Sequence, residues 1–190
     1  VTGIVKIKNL LESDDVIATA DALKTLGVKI IKNKNIWRVF GNGIGNLSGS
    51  NFRLDLGNSG TGSRLIMGLI AGSDVEAEIL GDESLSKRPM KRIITPLSKT
   101  GAIFDDPNND RLPIKIKGSK IPLPIEYFSP VASAQIKSSI LLAGLSSTGN
   151  TTIVEPTLSR DHSERMLKYL GAKIHTTKLS NSSWKITLEG

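Results

Sequence analysis

Two patterns of apolar residues divide the chain into predicted helices and strands. Apolar residues recur at helical spacing in several segments, as in Ile93, Ile94 and Leu97. Shorter alternating or continuous apolar runs, bounded by Gly, Pro or Asn, have the length of strands. The pattern predicts helices over Asp15–Leu26, Thr61–Ala71, Pro89–Thr100, Ala134–Leu145 and Asp161–Leu170. It predicts strands over Ile4–Ile7, Val28–Lys32, Ile36–Phe40, Asn51–Leu56, Val75–Leu80, Ala102–Asp105, Leu112–Lys117, Ile125–Phe128, Thr151–Glu155, Lys173–Thr177 and Trp184–Leu188. A mixed α/β fold follows.

These elements repeat along the chain. Gly27, Gly101 and Gly171 each follow a helix end and precede a strand, as expected for a glycine in the left-handed helix-stop position. They lie 74 and 70 residues apart, which indicates a repeat of about 70 residues. Residues 51–120 and 121–190 both have the order βαβαββ. We expect one domain of three such units, with helices inside and sheets outside around a pseudo-threefold axis.

The first unit, residues 1–50, is shorter than the other two. Only 26 residues precede Gly27, whereas 50 separate the start of the second unit from Gly101. About 24 residues, enough for one strand and one helix, have no counterpart in the first unit. The chain also begins at Val1, not at methionine. We therefore expect it to be an excised piece of a longer protein.

Segment 81–92 has the side chains of an anion-binding site. Its possible anion contacts are Ser84, Ser86, Lys87, Arg88 and Arg92. Pro89 suits a first helical turn and restricts the residue before it, so Arg88 is expected in an extended conformation where a helix begins. A guanidinium there can bind a carboxylate or phosphate through two parallel hydrogen bonds. A capped surface helix with a basic first turn is the alternative that this segment alone leaves open.

Two further helix starts have free backbone N–H groups and the positive end of a helix dipole. In segment 56–64 a Gly-rich turn links a strand to a helix, and Gly60 would let a ligand approach the backbone. A turn that needs glycine only for its dihedral angles is the alternative. In the second, Ser133 stands at the N-cap position and Gln135 in the first turn.

A third helix start lies in segment 159–164. Ser159 or Asp161 can cap this helix, and Glu164 follows Asp161 by three residues as in a capping box. Arg160 has no part in such a cap. It is therefore a further candidate for anion binding.

Composition narrows the classes of function. The chain has no cysteine and two histidines, so we expect no disulfide, no thiolate nucleophile and no metal cofactor. A net charge of +7 favours an anionic partner, either nucleic acid or a small phosphorylated or carboxylated metabolite. Basic residues are spread out without interleaved aromatic residues, which argues against nucleic acid. No apolar run reaches the roughly 20 residues of a membrane span, so we expect a soluble protein.

Taken together, the motifs resemble the 5-enolpyruvylshikimate-3-phosphate synthase family, most closely its bacterial class II members. The segments that carry the resemblance are Leu56–Leu65 (LGNSGTGSRL), Gly81–Met90 (GDESLSKRPM), Ala132–Ser138 (ASAQIKS) and Ser159–Leu167 (SRDHSERML). The resemblance implies two domains of three βαβαββ units, with the active site in the cleft between them. It implies transfer of the enolpyruvyl group of phosphoenolpyruvate to the 5-hydroxyl of shikimate-3-phosphate, with release of phosphate, on the cytoplasmic route to chorismate and the aromatic amino acids. No cofactor takes part.

The resemblance also assigns roles to residues. The implied substrate-binding residues are Asn58, Gly60, Thr61, Arg88, Ser133, Ala134, Gln135 and Arg160. Gly60 and Arg88 would contact phosphoenolpyruvate, and Gln135 would contact both substrates. Ser133, with Ala134 beside it, would bind shikimate-3-phosphate, and Arg160 would reach the same substrate. Asn58 and Thr61 would shape the Gly-rich turn.

Parts of the family pattern have no match in this chain. The Lys-Ser pair and following Arg of the family's first strand–helix segment are missing. So is the second domain, which carries the acid/base residues. We therefore expect this chain to be inactive alone. We expect the whole protein to be a monomer that binds no nucleic acid and no membrane. Because glyphosate would need room at Gly60, we expect the complete enzyme to be glyphosate-sensitive.

Two other functions remain open. The enolpyruvyl transferase that acts on UDP-N-acetylglucosamine has the same architecture, but the absent cysteine and the Arg88-Pro89 and Ser133-Ala134-Gln135 motifs favour the shikimate enzyme. A basic nucleic-acid-binding repeat protein is the second. Steeply salt-dependent RNA or DNA binding would favour it.

Overall fold

The computed structural model describes residues 2–106, 108–180 and 182–190. In chain order the elements are β1 (Thr2–Lys8), α1 (Asp14–Thr25), β2 (Ile30–Asn33), β3 (Ile36–Asn42), β4 (Ser48–Asp55), α2 (Gly60–Ala71), β5 (Asp74–Leu80), α3 (Glu83–Ser86), α4 (Lys91–Lys99), β6 (Ile103–Phe104), β7 (Ile114–Lys117), β8 (Glu126–Phe128), α5 (Ala134–Gly144), β9 (Asn150–Glu155), α6 (His162–Tyr169), β10 (Lys173–Lys178) and β11 (Trp184–Glu189). The predicted mixed α/β fold is confirmed.

Two four-stranded sheets have the same topology. The strand orders are β4-β5-β7-β6 and β8-β9-β11-β10. In each sheet the first two strands pair in parallel, and the remaining pairs are antiparallel. A parallel pair needs a crossover connection, which α2 provides in one sheet and α5 in the other. The predicted βαβαββ order is confirmed from β8 to β11, and the elements from β4 to β7 follow it with one additional short helix, α3.

The third sheet repeats part of this topology. Its strand order is β1-β3-β2, and both strand pairs are antiparallel. β1 thus occupies the position that β5 and β9 occupy in the other sheets. β5 and β9 each have a parallel neighbour on their other side, whereas no strand within the described ranges pairs with the outer edge of β1.

The glycines that mark the repeat adopt the predicted conformation. Gly27, Gly101 and Gly171 have φ angles of 88°, 95° and 96°. Helices commonly end in this left-handed region, which glycine adopts without the steric cost that a Cβ atom imposes. Each turns the chain from a helix into the following strand. Local sequence therefore sets these three helix ends.

The region before α4 differs from the prediction. The sequence predicted a helix that begins at Pro89. In the structure α4 begins at Lys91, and Pro89 lies between α3 and α4. A short helix, α3, forms ahead of it because Asp82 accepts a hydrogen bond from Leu85 N at 2.7 Å. An N-cap aspartate favours a helix start. The chain therefore makes one helical turn before Arg88 and resumes the helix after it.

The core is built where α2 and α5 run side by side. A Cβ added to Gly68 would lie 2.3 Å from the backbone oxygen of Ser139, and one added to Gly72 would lie 2.6 Å from that of Ala143. The two backbones therefore touch without intervening side chains. Both helices are mostly buried, and the sheets pack outside them. Within the described ranges, every helix is too short or too polar to cross a membrane.

We expect Gly68→Ala to lower the free energy of unfolding by about 1–3 kcal/mol, because the added methyl group must push the two backbones apart. On helix propensity alone the same change would be stabilising by up to about 1 kcal/mol. The sign of the effect, measured by urea unfolding, decides between the two. Thr95→Ala on the exposed face of α4 is the control.

Candidate functional site

The N-terminal ends of α2 and α5 lie next to each other. Gln135, in the first turn of α5, donates from Nε2 to Thr61 Oγ1 at 3.0 Å and accepts at Oε1 from Arg64 Nη1 at 3.1 Å. The N-cap hydroxyls of Ser59 and Ser133 accept from backbone N–H groups of their own helices at 3.1 Å and 3.5 Å. Two helix dipoles thus place their positive ends at one position, which favours an anion there.

Arg88 is held over the Gly-rich turn. Its Nη2 donates to Asn58 Oδ1 at 2.7 Å and to Ser84 Oγ at 3.3 Å. Asn58 in turn donates from Nδ2 to Asp82 Oδ2 at 2.7 Å, so one amide joins the turn to the segment that carries Arg88. A Cβ on Gly60 would lie 2.9 Å from Arg88 Nη1. A side chain at position 60 would therefore force the guanidinium to shift.

Arg64 brings a second guanidinium to the same turn. Its side chain is buried, and Nη1 donates to the backbone oxygen of Gly60 at 3.1 Å. Its Nε is buried with no hydrogen-bond partner in the described part of the chain. Burial lowers the pKa of Arg64, and the nearby charges of Arg92 and Arg88 lower it further. Because an arginine stays charged at neutral pH, the cluster concentrates positive potential that a carboxylate or phosphate would neutralise.

Glu155, at the end of β9, joins the other two predicted segments. Its carboxylate accepts from Ser133 N at 3.1 Å and from Ser159 Oγ at 2.8 Å. Lys137 Nζ lies 3.1 Å from Glu155 Oε2 and 2.6 Å from Glu164 Oε1, and the lysine is fully buried. The helix start at Ser133 and the loop at Ser159 are thus connected through one buried carboxylate.

One expectation about local contacts needs correction. The predicted capping box of α6 is wrong: Asp161 makes no side-chain cap, and Glu164 points instead to Lys137. Glu164 was misassigned because the sequence does not show that a buried ammonium on α5 lies within reach. In segment 81–92, Ser86 Oγ donates to the backbone oxygen of Gly81 and Lys87 pairs with Glu83. Those two side chains have partners within their own segment.

The structure gathers most of the predicted residues into one network. Asn58, Gly60, Thr61, Arg88 and Gln135 are linked directly or through Arg64, and Ser133 and Ala134 precede Gln135 at the same helix start. Arg160 is exposed, and its connection to the others within the described part of the chain runs through its neighbour Ser159. Their roles in binding remain predictions.

Sequence reasoning assigned no role to Arg64, Lys137 or Glu155. A signal for two of them was available, since Arg64 and Lys137 are each the sole charged residue of a helix rich in apolar residues. A buried charge needs a partner or a ligand. For Glu155, the sequence pattern of a strand end offered no such signal. In the described ranges, no group of three or more His, Asp or Glu side chains is arranged to hold a metal ion.

We expect the stability contributed by the Asp82 carboxylate to be present above the ordinary pKa of an aspartate, about 3.9, and to disappear as pH falls through its folded-state value. The pKa of Asp82 is lowered, first by the N–H of Leu85, next by the amide of Asn58, and to a smaller extent by Arg88. Urea unfolding of wild type and Asp82→Asn across this acidic range measures the effect. The difference between the two proteins should shrink on acidification, and a difference independent of pH would contradict the prediction.

The site belongs to a chain with recognisable relatives. A sequence model of the family described as EPSP synthase (3-phosphoshikimate 1-carboxyvinyltransferase) matches residues 1–189. A 3-phosphoshikimate 1-carboxyvinyltransferase of Parvibaculum lavamentivorans is 50% identical over 173 residues, 90% of this chain and 38% of the relative. One of Afipia carboxidovorans is 48% identical over 189 residues, 99% of this chain and 43% of the relative.

A solved structure of EPSP synthase from Acinetobacter baumannii superimposes with a TM-score of 0.90 at 39% identity. The superposition covers 100% of this chain and 42% of the solved chain. The chain thus spans about two fifths of the length of the relatives it matches. The sequence matches and the structural match point to the same family. The chain belongs to the EPSP synthase (3-phosphoshikimate 1-carboxyvinyltransferase) family.

Proposed function

We propose that the whole protein transfers the enolpyruvyl group of phosphoenolpyruvate to the 5-hydroxyl of shikimate-3-phosphate and releases phosphate. The observation that carries the proposal is the position of Gln135, which bonds both Thr61 and Arg64 where the starts of α2 and α5 meet. The side chain of Gln135 contacts Arg64, and Ser133 lies two residues before Gln135 at the same helix start. Two anions can therefore bind side by side and share this amide.

Phosphoenolpyruvate suits the arginine side. Its carboxylate and phosphate can take guanidinium donors from Arg88, which stands over Gly60. Shikimate-3-phosphate suits the other side, where Ser133, Ala134 and the exposed Arg160 supply a hydroxyl, backbone groups and a cation. The net charge of +7 then serves two small anions and needs no nucleic acid to account for it.

We propose further that the chain is one domain made of three units, residues 1–50, 51–120 and 121–190. The unpaired edge of β1 marks the place where a parallel strand would complete the first unit, as β4 does beside β5. A groove of about 540 Å³ beside α1 and α2, lined by apolar side chains that include Leu23, Trp37, Leu65 and Leu69, has the place and chemistry for that unit's missing helix. The occupant is the strand–helix segment that the repeat lacks.

Catalysis would require a second domain of the same chain. The residues described here bind and orient anions, whereas positioning two reactants and stabilising charge in the transition state need both walls of a cleft. The relatives are more than twice as long as this chain, which supports such a domain. We propose that the 190-residue chain alone is inactive. We also propose that the whole protein is a cytoplasmic monomer in which both walls of the cleft come from one chain.

Calorimetric titration with shikimate-3-phosphate is the direct test. We expect weak saturable binding by the chain, stronger binding by the full-length protein, and loss of affinity in Ser133→Ala and Gln135→Ala of about 1–2 kcal/mol each, because each removes a hydrogen-bonding group. Thr148→Ala, exposed in the loop after α5, is the control and should bind like wild type.

Failure of the full-length protein to bind shikimate-3-phosphate would contradict the proposed function. If the same protein bound RNA or DNA with a steep salt dependence, the nucleic-acid alternative would replace it. Saturable binding of UDP-N-acetylglucosamine in place of shikimate-3-phosphate would favour the related transferase.

We expect glyphosate to inhibit the full-length enzyme and Gly60→Ala to weaken that inhibition. The added methyl group would lie 2.9 Å from Arg88 Nη1 and 3.2 Å from Arg64 Nη1, so both guanidinium groups must move. The KM for phosphoenolpyruvate should rise as well, since Arg88 is its proposed ligand. Initial rates over a range of glyphosate concentrations measure both effects, and full activity of the wild type at about millimolar inhibitor, the level of a weak ligand, would refute the prediction.

A further inference from the structure

Glu155 occupies a position that the proposed binding roles do not use. It ends β9 and is fully buried, with no exposed surface. It makes no contact with Arg88, Asn58 or Gly60 among the described interactions. Its partners all belong to the segments around Ser133 and Ser159.

Both carboxylate oxygens of Glu155 accept hydrogen bonds. Oε1 accepts from Ser133 N at 3.1 Å and Oε2 from Lys137 Nζ at 3.1 Å and Ser159 N at 3.3 Å. The Ser159 hydroxyl lies within reach of both, at 2.8 Å from Oε1 and 3.0 Å from Oε2. One rigid group thereby fixes backbone N–H groups of two segments that are 26 residues apart in sequence. Both segments carry groups proposed to bind shikimate-3-phosphate.

The charge of Glu155 is compensated inside the protein. Lys137 Nζ lies between Glu155 and Glu164, so the buried cluster has one ammonium and two carboxylates. Removing the lysine would leave carboxylates without a cation in a dry site, which is costly. Removing the charge of either glutamate would leave one balanced pair. The two glutamates are therefore equivalent in charge but differ in what they touch.

We propose that Glu155 is a positioning residue for the shikimate-3-phosphate side of the site. It holds the start of α5 and the loop at Ser159 in one relative position, so that Ser133, Ala134 and Arg160 can meet the same ligand, whereas Gln135 is held separately by Thr61 and Arg64. The role rests on the proposed function. Glu164 shares the buried lysine but contacts neither segment's backbone, so its part is confined to the charge balance.

Steady-state kinetics of the full-length enzyme with Glu155→Gln and Glu164→Gln tests the role. An amide can accept at one oxygen only, so the side chain introduced by Glu155→Gln must turn an NH2 group toward one of the two donor sets. Glu155→Gln should raise the KM for shikimate-3-phosphate about 10-fold or more while the KM for phosphoenolpyruvate stays within about twofold. Glu164→Gln makes the same chemical change in the same cluster and should leave both KM values within that range.

Folding is checked by thermal unfolding of each variant. If Glu155→Gln fails to fold, Glu155→Asp is the second variant, since it keeps the charge beside Lys137 but is one methylene too short to reach both segments. It should show the same selective rise in the KM for shikimate-3-phosphate.

Three results would count against the role. An unchanged KM for shikimate-3-phosphate in the folded Glu155 variant would overturn it. Equal increases in Glu155→Gln and Glu164→Gln, or equal increases in both KM values, would reduce Glu155 to a structural residue. A wild-type enzyme that turns over neither substrate would overturn the proposed function itself, and the role of Glu155 with it.

Discussion

The direct contact between the backbones of α2 and α5 is the constraint on which the core and the candidate site both depend. Gly68 and Gly72 have no room for a side chain against Ser139 and Ala143, so the two helices are fixed in both distance and register. That register places Gln135 beside the start of α2. Since the first turns of the two helices are in contact through Gln135 and Thr61, the positive ends of their dipoles lie close together. Packing in the middle of the helices therefore sets the electrostatics at their ends.

Each of these helices contains one buried cation, and the protein stabilises the two in different ways. Lys137 is neutralised inside the fold by Glu155 and Glu164. Among the residues that the structure describes, the acceptors of Arg64 are the uncharged oxygens of Gly60 and Gln135, and two more arginines lie nearby. A buried charge without a counter-charge is unfavourable. The first cation is therefore neutralised within the fold. The second lacks a counter-charge among the described residues, and an anionic ligand would supply one.

Local sequence was enough to predict most of the elements and the repeat, because amphipathic periodicity and glycine helix stops act over a few residues. It did not predict the short helix α3 or the start of α4 at Lys91. Gly27, Gly101 and Gly171 all behave as their sequences predict. The residues of the Gly-rich turn were also recognisable, since their spacing is local. Contacts between distant segments were not predictable: nothing near Glu164 shows that Lys137 lies within reach, and so a capping box was the reasonable but wrong interpretation. The pairing of Glu155 with Ser133 depends on sheet geometry in the same way.

The exposed edge of β1 has a consequence for how this polypeptide behaves in solution. No strand in the described ranges pairs with it, so its backbone N–H and C=O groups form a row that can bind another strand. Lys6 and Lys8 on this strand oppose such pairing, as lysines on edge strands commonly do, but Ile4 is exposed beside them. This 190-residue chain therefore has a template for edge-to-edge self-association, which increases with protein concentration and would be lost if another strand paired with that edge.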